Sequence, residues 1–398
     1  MSMRLLPTRE PTVLARREHS RGRHLAQIDL VRVLTFSSVV AVHTISMTSD
    51  PHNVVANALL TFLHFNRATF VFLTGFVLVY TYRDRAMPPA ATRKFWRRRM
   101  VLVGVPYLVW TVGYFLLGQV GAPTPTASDA FTTLLEDIYR GVGWYHLYFL
   151  MVSLQFYLLF PMVLRVLRAT VGHHRLVFAA SVLAQVGITG AWTYLIKPDQ
   201  GGLFGTLWTN QGTLIVSYQL YAVAGCLAAY HFEAFHAWVL SHSRLVLWLV
   251  IGSATLVGGW YFVGIAAGGN PWDVTGVLQP EMIPWFCAMI LGLYWLGASW
   301  HRRGHSGLGH RLVSAASVRS FGVFLVHPAF IWLVGWLGND WFAADLSPLV
   351  NTVFTYLFAL AGSLAVVELV IHTPLSRVLI GRDQLRTKAP RPAAVPAA

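Results

Sequence analysis

The first apolar segment of the chain contains three ionisable residues, Asp29, Arg32 and His43. Arg32 and His43 are eleven residues apart, so on a helix they lie within about 20° of each other and about 16 Å apart along the axis. A guanidinium binds anions, and a neutral imidazole accepts a proton near neutral pH. The spacing therefore predicts an anion site at one end of a helix and a general base deeper along the same face. In the alternative interpretation, Asp29 and Arg32 form an i,i+3 pair and His43 is a packing residue.

A second candidate group is basic. Arg97, Arg98 and Arg99 are consecutive and follow Arg93 and Lys94. Arginine suits phosphate because its planar fork donates two hydrogen bonds at once. The run therefore predicts either a phosphate contact or a determinant of membrane topology, and the two are compatible.

Several further polar residues lie in or beside apolar segments. His64, Asn66 and Arg67 are either an ordinary polar cap or sugar-binding residues, and His146 suits interfacial packing and an acceptor site equally well. His327 precedes Pro328, so it either hydrogen bonds at a helix kink or assists catalysis. Gln155 is interpreted as a residue that hydrogen bonds between helices.

The elements that must position these residues are membrane helices. Of the 398 residues 55% are hydrophobic and 12% are charged, about half the charge typical of soluble domains. A span of the bilayer takes roughly 20 apolar residues. Ten runs qualify, at about 28–48, 57–82, 99–119, 144–167, 175–196, 213–232, 244–267, 280–300, 315–337 and 346–371. The predicted fold is an all-α integral membrane protein with about ten transmembrane helices.

The distribution of charge predicts the orientation. If both termini are cytoplasmic, the cytoplasmic segments hold 25 of the 30 lysines and arginines, as the positive-inside rule requires. The formal charge of +14 is therefore a topological signal, and no nucleic-acid partner is expected. The chain is predicted to divide into a basic tail over 1–27, a membrane domain over 28–372 and a tail over 373–398, both tails being disordered.

Cysteine usage argues against a disulfide framework. Cys226 and Cys287 both lie in apolar runs and are interpreted as core residues. No metal site is predicted.

Five short strings occur in an order that resembles the acyltransferase 3 family, whose members are membrane-embedded acyl- and acetyltransferases acting largely on cell-envelope sugars. They are DLVR at 29–32 with His43, which is similar to an Arg-x10-His signature; FVFLTGF at 70–76; RRR at 97–99 leading into VPYLVW at 105–110; HLYFL at 146–150 with QFY at 155–157 and Pro161; and FGVFLVHP at 321–328. Together they extend over residues 29–328.

Two positions depart from the pattern of the family. Its basic pair usually reads Arg-x-x-Arg, but Leu102 follows Arg99 here, so contacts to the donor must fall on Arg97, Arg98 and Arg99 or on Arg93 and Lys94. Its last helix often ends in Glu-x-Pro, but here His372 occupies the glutamate position before Pro374, with Glu368 one turn earlier.

The resemblance implies an O-acyltransferase in a bacterial plasma membrane, surrounded by membrane lipid. Acetyl-CoA or another acyl-CoA would be the donor, and a hydroxyl of a cell-envelope glycan, lipid-linked sugar or secondary metabolite would be the acceptor. His43 would act as general base with Arg32 and Asp29, Arg97–Arg99 would bind the donor, and His64, Arg67, His146 and His327 would bind substrate. The alternatives are a transporter or flippase that uses the same His and Arg without chemistry, and a structural membrane subunit.

Overall fold

The computed structural model describes residues 25–123, 125–196, 200–304, 307–341 and 347–385, and within them the chain is helical and without strands. The helices are α1 Ala26–Thr48, α2 Val54–Leu63, α3 Phe65–Tyr82, α4 Pro89–Arg99, α5 Val105–Gly118, α6 Ala127–Arg140, α7 Tyr148–Ala169, α8 His174–Gly190, α9 Gly202–Asn210, α10 Gln219–Tyr230, α11 Phe232–Ser241, α12 Ser243–Ala266, α13 Ile283–Arg302, α14 Leu308–Trp341, α15 Pro348–Ile371 and α16 Ser376–Ile380. This confirms the predicted all-α architecture.

The number of membrane spans also agrees with the prediction. In the described parts of the chain, nine helices are long and apolar enough to cross a bilayer, and a bent pair makes ten if it is counted as one span. Two of these spans join consecutive helices, because α2 runs into α3 and a π-helical segment, Met100–Gly104, joins α4 to α5.

The bent pair is the sixth predicted span, which the sequence pattern placed over 213–232 as one helix. The structure instead has helix over Gly202–Thr213 and over Ile215–Tyr230, with a bend of 52° between them. Gln155 of α7 satisfies the backbone at this break: its Nε2 donates to Thr213 O at 2.7 Å, and its Oε1 accepts from Ile215 N at 3.0 Å. Interhelical hydrogen bonding by Gln155 is thus confirmed. Broken helices are tolerated at membrane depth where side chains supply such partners.

Large apolar side chains cover the outside of the helices. On α12, Leu247, Trp248, Leu256 and Val263 are all exposed, Trp248 to 68% of its surface. A soluble monomer rarely exposes apolar area on this scale, whereas lipid solvates it without cost. The helices and their surfaces together define a multi-pass membrane protein.

Helix α1 lies at the centre and packs against α2, α3, α13, α14 and α15. Beside it, α3 and α10 approach each other so closely that a Cβ on Gly225 would lie 2.1 Å from the carbonyl oxygen of Phe72. Small residues at such contacts are the usual way in which membrane helices pack. The central position of α1 surrounds its polar residues with protein.

The chain folds back onto the bundle after α15. His372 Nδ1 donates to Leu385 O at 3.1 Å, its Nε2 lies 3.2 Å from Glu368 Oε1, and Glu368 also pairs with Arg319. Gly381, at φ +60°, lets the chain pass so near the π-helical segment Met100–Gly104 that a Cβ would lie 2.1 Å from Leu102 O.

The prediction of a disordered tail over 373–398 is therefore wrong for residues 373–385, because these contacts hold α16 and the segment after it against the bundle. The rest of that tail, and residues 1–24 of the N-terminal one, lie outside the described residues.

Candidate active site

A cavity of about 370 Å³ lies at the end of the bundle where α1 begins. Three arginines line it, Arg32 from α1, Arg99 from the end of α4 and Arg382 from the segment after α16. The remaining wall is largely apolar and includes Leu73, Val77, Leu78, Leu102, Val103, Leu150 and Val318. We call this space the basic cavity and its end of the bundle the basic end.

Arg32 is held by a hydrogen-bond network with α14. Its Nη1 donates to Ser317 Oγ at 3.2 Å and lies 4.0 Å from Asp29 Oδ1, while Ser317 Oγ donates to the same carboxylate oxygen at 2.7 Å. The Arg32 side chain keeps 34% of its surface exposed, whereas that of Asp29 keeps 6%. Asp29 therefore orients Arg32 toward the cavity and is itself withdrawn from it.

Arg99 and Arg382 are fixed by different contacts. The guanidinium of Arg99 lies 5.3 Å from the ring centroid of Tyr157 and 5.6 Å from that of Phe95. Arg382 Nη1 donates to Val318 O at 3.0 Å. Burial and the charge of Arg319 lower the pKa of Arg382, against a smaller opposing effect of Asp383. A cavity that gathers this much positive charge beside an apolar wall suits a ligand with phosphate groups and an apolar arm.

The predicted trio Arg97–Arg99 is divided between two sites. Arg97 and Arg98 line a separate groove of about 560 Å³, together with Arg93, Lys94 and Arg377. Leu102 lines both this outer groove and the basic cavity, so the two spaces adjoin. Of the trio, Arg99 alone reaches the basic cavity.

His43 lines a second, much smaller space of about 20 Å³, which we call the histidine chamber. A water molecule needs roughly 10–15 Å³ by this measure, so the chamber has room for about one water. Its wall is completed by Val39, Val42, Asn66, Arg67, Phe70, His146, Tyr148, Phe149 and Phe324.

Three histidines from different parts of the chain meet here. The ring centroid of His327 lies 5.4 Å from that of His43 and 5.5 Å from that of His146. His146 and His327 are buried, whereas His43 keeps part of its surface accessible. Of the three, His43 is therefore the one placed to meet a substrate. Although the rings are neighbours, no group of three or more His, Cys, Asp or Glu residues in the described parts of the chain could hold a metal ion.

Hydrogen bonding fixes the tautomer of His327. Its Nδ1 lies 3.1 Å from Val323 O, and because a carbonyl only accepts, Nδ1 must carry the proton. Nε2 of neutral His327 is then an acceptor without a hydrogen-bond partner among the described residues. The predicted hydrogen bond to the upstream backbone is thus present, and it leaves the other nitrogen free for a second role.

Other buried polar atoms around His43 also lack partners. Both ring nitrogens of His146 and the hydroxyl of Tyr145 have none within the described part of the chain. Buried polar groups are normally paired, and clusters of exceptions mark places where a ligand or water binds. This concentration around one accessible histidine supports an active site at His43.

Arg67 brings a positive charge to the chamber. Its guanidinium lies 5.2 Å from the ring centroid of Tyr148, and none of the ion pairs between described residues includes it. His64 is the C-cap of α2 and does not line the chamber, although it is near Arg67 in sequence. Asn66, which the sequence groups with His64 and Arg67, is buried in the chamber wall.

A third space lies on the other side of His43. This aromatic cavity, of about 360 Å³, is lined by Trp144, Tyr145, Trp332 and Trp336 with Thr48, Asn351 and Thr355. Trp332 and Trp336 are stacked, with centroids 5.6 Å apart. The ring of Tyr145 lies 4.5 Å from that of His43 and so joins the aromatic cavity to the histidine cluster.

The predicted site residues therefore fall into three groups. His43, Arg67, His146 and His327 come together at the chamber, and Arg32 and Arg99 meet at the basic cavity with Asp29 behind Arg32. Arg97 and Arg98 lie in the outer groove, and His64 caps α2 without lining the chamber. Sequence reasoning missed Arg382, which reaches the cavity only because the chain turns back after α15; no local motif marks it.

The helical bundle, its apolar surface and its enclosed histidine cluster define an integral membrane protein. The model of a family described as an acyltransferase domain matches residues 25–368, and the chain belongs to that family, acyltransferase 3. No curated protein and no solved structure matches the chain.

Proposed function

We propose that this protein is a membrane-embedded O-acyltransferase that moves an acyl group, an acetyl group in particular, from acyl-CoA to a hydroxyl of its acceptor. One observation carries the proposal. His43 lies between a basic, apolar-walled cavity and an aromatic cavity on its opposite side. Two-substrate transfer needs such an arrangement, with donor and acceptor meeting at one base.

The basic cavity suits the donor. The phosphates of coenzyme A would pair with Arg32, Arg99 and Arg382, and its long flexible arm would lie along the apolar wall toward the chamber. Arg97 and Arg98, in the adjoining outer groove, are close enough in the chain to meet the nucleotide end of the same molecule.

The chemistry would occur in the chamber. His43 takes the proton from the acceptor hydroxyl as its oxygen attacks the thioester carbonyl carbon. The negative charge that develops on the carbonyl oxygen is stabilised by Arg67, which lines the same chamber. The carbon–sulfur bond then breaks, and the thiolate of coenzyme A receives the proton from His43. Arg32 is not placed for the oxyanion role, since it lines the other cavity.

The aromatic cavity suits an acceptor with both apolar and hydroxyl-bearing faces. Trp332 and Trp336 offer flat surfaces for the C–H face of a sugar ring, and Thr48, Asn351 and Thr355 offer hydrogen bonds. A glycan, a lipid-linked sugar or a glycosylated metabolite each has this character.

The location proposed is a bacterial plasma membrane, with the basic end in the cytoplasm, where acyl-CoA is made. The acceptor would then approach from the exterior side or from the outer leaflet.

The test uses the full-length protein in proteoliposomes with acyl-labelled acetyl-CoA and a panel of glycan and glycolipid acceptors. The proposal expects label in an acceptor and free coenzyme A in equal amounts, both dependent on His43. A transporter would instead move a substrate across the vesicle membrane with the thioester intact, and that result would refute the proposal.

A further inference from the structure

We infer that Phe70, Phe149 and Phe324 form a movable aromatic septum between the basic cavity and the histidine chamber, and that this septum determines which acyl groups reach His43. The inference rests on the proposed function for its chemistry. Its structural part, a closed barrier in that position, can be tested without any activity.

The three phenylalanines belong to both spaces. Each lines the basic cavity on one side and the histidine chamber on the other. They come from α3, α7 and α14, so the septum forms where three helices converge.

Each of the three rings also contacts the other two. Their centroids are 5.4 Å apart between Phe70 and Phe149, 6.3 Å between Phe70 and Phe324, and 6.2 Å between Phe149 and Phe324. All three distances fall within the range of direct aromatic contact, about 4.5–7 Å. The observed rotamers therefore leave no passage among the three rings.

The size of the chamber requires the septum to move. A space of about 20 Å³ has room for one water, and an acetyl group with its thioester sulfur does not fit there. At least one phenylalanine must rotate to admit the donor's reactive end. The basic cavity is wide enough for a donor arm to wait in it while the septum is closed.

Phe324 is the ring best placed to link opening to the reaction. Its centroid lies 5.2 Å from that of His146 and 6.2 Å from that of His327. Rotation of Phe324 would therefore change the packing of both buried histidines beside His43. While the septum is closed, the thioester of a bound donor is kept away from His43, which limits hydrolysis without transfer. The septum would also exclude bulky acyl groups, because the rings can move only far enough to admit a small one.

The first experiment measures access to the chamber. Val39, a chamber-wall residue on α1, is replaced by Cys in a chain carrying Cys226→Ser and Cys287→Ala. A charged, membrane-impermeant methanethiosulfonate is added to sealed vesicles from the basic end. Labelling of the cysteine should be slow with the septum intact and severalfold faster with Phe324→Ala or Phe149→Ala. Phe178→Ala is the matched control, because Phe178 is exposed on α8 and lines neither the basic cavity nor the histidine chamber, and it should leave the rate unchanged.

Equal labelling rates in the parent, Phe324→Ala and Phe149→Ala chains would overturn the septum. The second experiment gives acetyl-, butyryl- and octanoyl-CoA to parent and variant proteins. Phe324→Ala should raise acceptor-independent release of coenzyme A and shift the preference toward longer acyl groups. An unchanged preference together with faster labelling would overturn the specificity role. If no chain, the parent included, cleaves a thioester, the proposed function fails, and the labelling rates still decide whether the barrier exists.

Discussion

The imidazole rings of His43 and His327 lie 5.4 Å apart and nearly parallel, at 26°, although they come from α1 and α14. His327 has its Nδ1 proton committed to Val323 O, so its ring is held in place beside the accessible ring of His43. This pairing gives His43 a defined orientation in the chamber, beside the polar side chains of Asn66, Arg67 and His146.

Replacing His43 by Gln should abolish transfer as completely as replacing it by Ala. Glutamine keeps a hydrogen-bonding group of similar reach but cannot accept a proton at neutral pH, and a general base contributes about 10²–10⁴-fold. Residual kcat, measured with labelled acetyl-CoA, should be at most about one per cent of the parent value. His52→Gln, at an exposed histidine, is the control. A Gln variant with near-parental activity would leave His43 as a packing residue.

Arg99 and Arg98 are adjacent in sequence but line different spaces, so their variants should differ. Arg99→Gln should raise KM for acyl-CoA by roughly 10- to 150-fold, because a hydrogen bond to a charged group contributes about 1.5–3 kcal/mol. Arg98→Gln should raise it much less, and KM for the acceptor should change in neither. Equal effects of the two substitutions would contradict the division of the basic run between two sites.

Trp336 and Trp248 are both exposed tryptophans on membrane helices, but Trp336 lines the aromatic cavity and Trp248 lies on the outer face of α12. Trp336→Ala should raise KM for the acceptor and leave KM for acyl-CoA unchanged, since the stacking surface for the acceptor is lost. Trp248→Ala should change neither constant. Steady-state kinetics with each substrate varied in turn measures both KM values. Equal changes of these values in the two variants would show that the acceptor does not bind in the aromatic cavity.

The orientation of the bundle is tested by reporter fusions. A cytoplasmic reporter inserted before Arg93, between α3 and α4, should be active, and one inserted near Asp129 should be inactive. A reporter enzyme that is active only on the exterior side of the membrane should give the reverse pattern at the same two positions. The physical reason is the concentration of lysine and arginine at the basic end. An exterior signal at Arg93 would invert the proposed topology and, with it, the side from which the donor arrives.

The stability of the protein should depend on pH through His231. Burial, together with His174 and Arg83, lowers the pKa of His231, which pairs with His174 at 2.7 Å. The fold therefore favours the neutral form of His231, whereas in the unfolded chain the imidazole titrates at about pH 6.5. Below the pKa of the unfolded state, the unfolded chain binds more protons than the folded chain does. The contribution of His231 to the free energy of unfolding is therefore full above that pKa and is lost as the pH falls toward the lower pKa of the folded state.

The measurement is the unfolding temperature of the detergent-solubilised protein across this pH range. It should fall on acidification, and His231→Gln should flatten the fall. His242→Gln is the control, because exposed His242 hydrogen bonds to Trp238 of its own turn. If the unfolding temperature of His231→Gln depends on pH as that of the parent does, another group causes the acid sensitivity.

Sequence periodicity was enough to predict the spans and the shared face of Arg32 and His43, because helix geometry alone fixes both. It could not predict that the two residues open into different spaces, since the phenylalanines between them come from α3, α7 and α14. Likewise, the sequence leaves Arg67 as either a polar cap or a sugar ligand. It cannot show that Arg67 lines the chamber, because this depends on the neighbouring helices that enclose the first turn of α3.

The bend in the sixth span was missed for a related reason. Hydropathy indicates one apolar run over 213–232. The break at Leu214 depends on a side chain from another helix, Gln155, which supplies the missing backbone partners. The bend, the septum and the position of Arg382 all depend on contacts between segments that are distant in sequence. Such contacts cannot be predicted from local composition.

The return of the chain after α15 also sets the order in which the protein is assembled. The basic cavity is built from Arg32 in the first helix and from Gly381 and Arg382 beyond the last. A ribosome that has inserted the spans through α15 has therefore still not finished this cavity, because Gly381 and Arg382 leave the exit tunnel after those spans. Nascent chains in the membrane would therefore carry the histidine cluster before the basic cavity is closed, so the proposed donor could bind only after residues 381 and 382 have emerged.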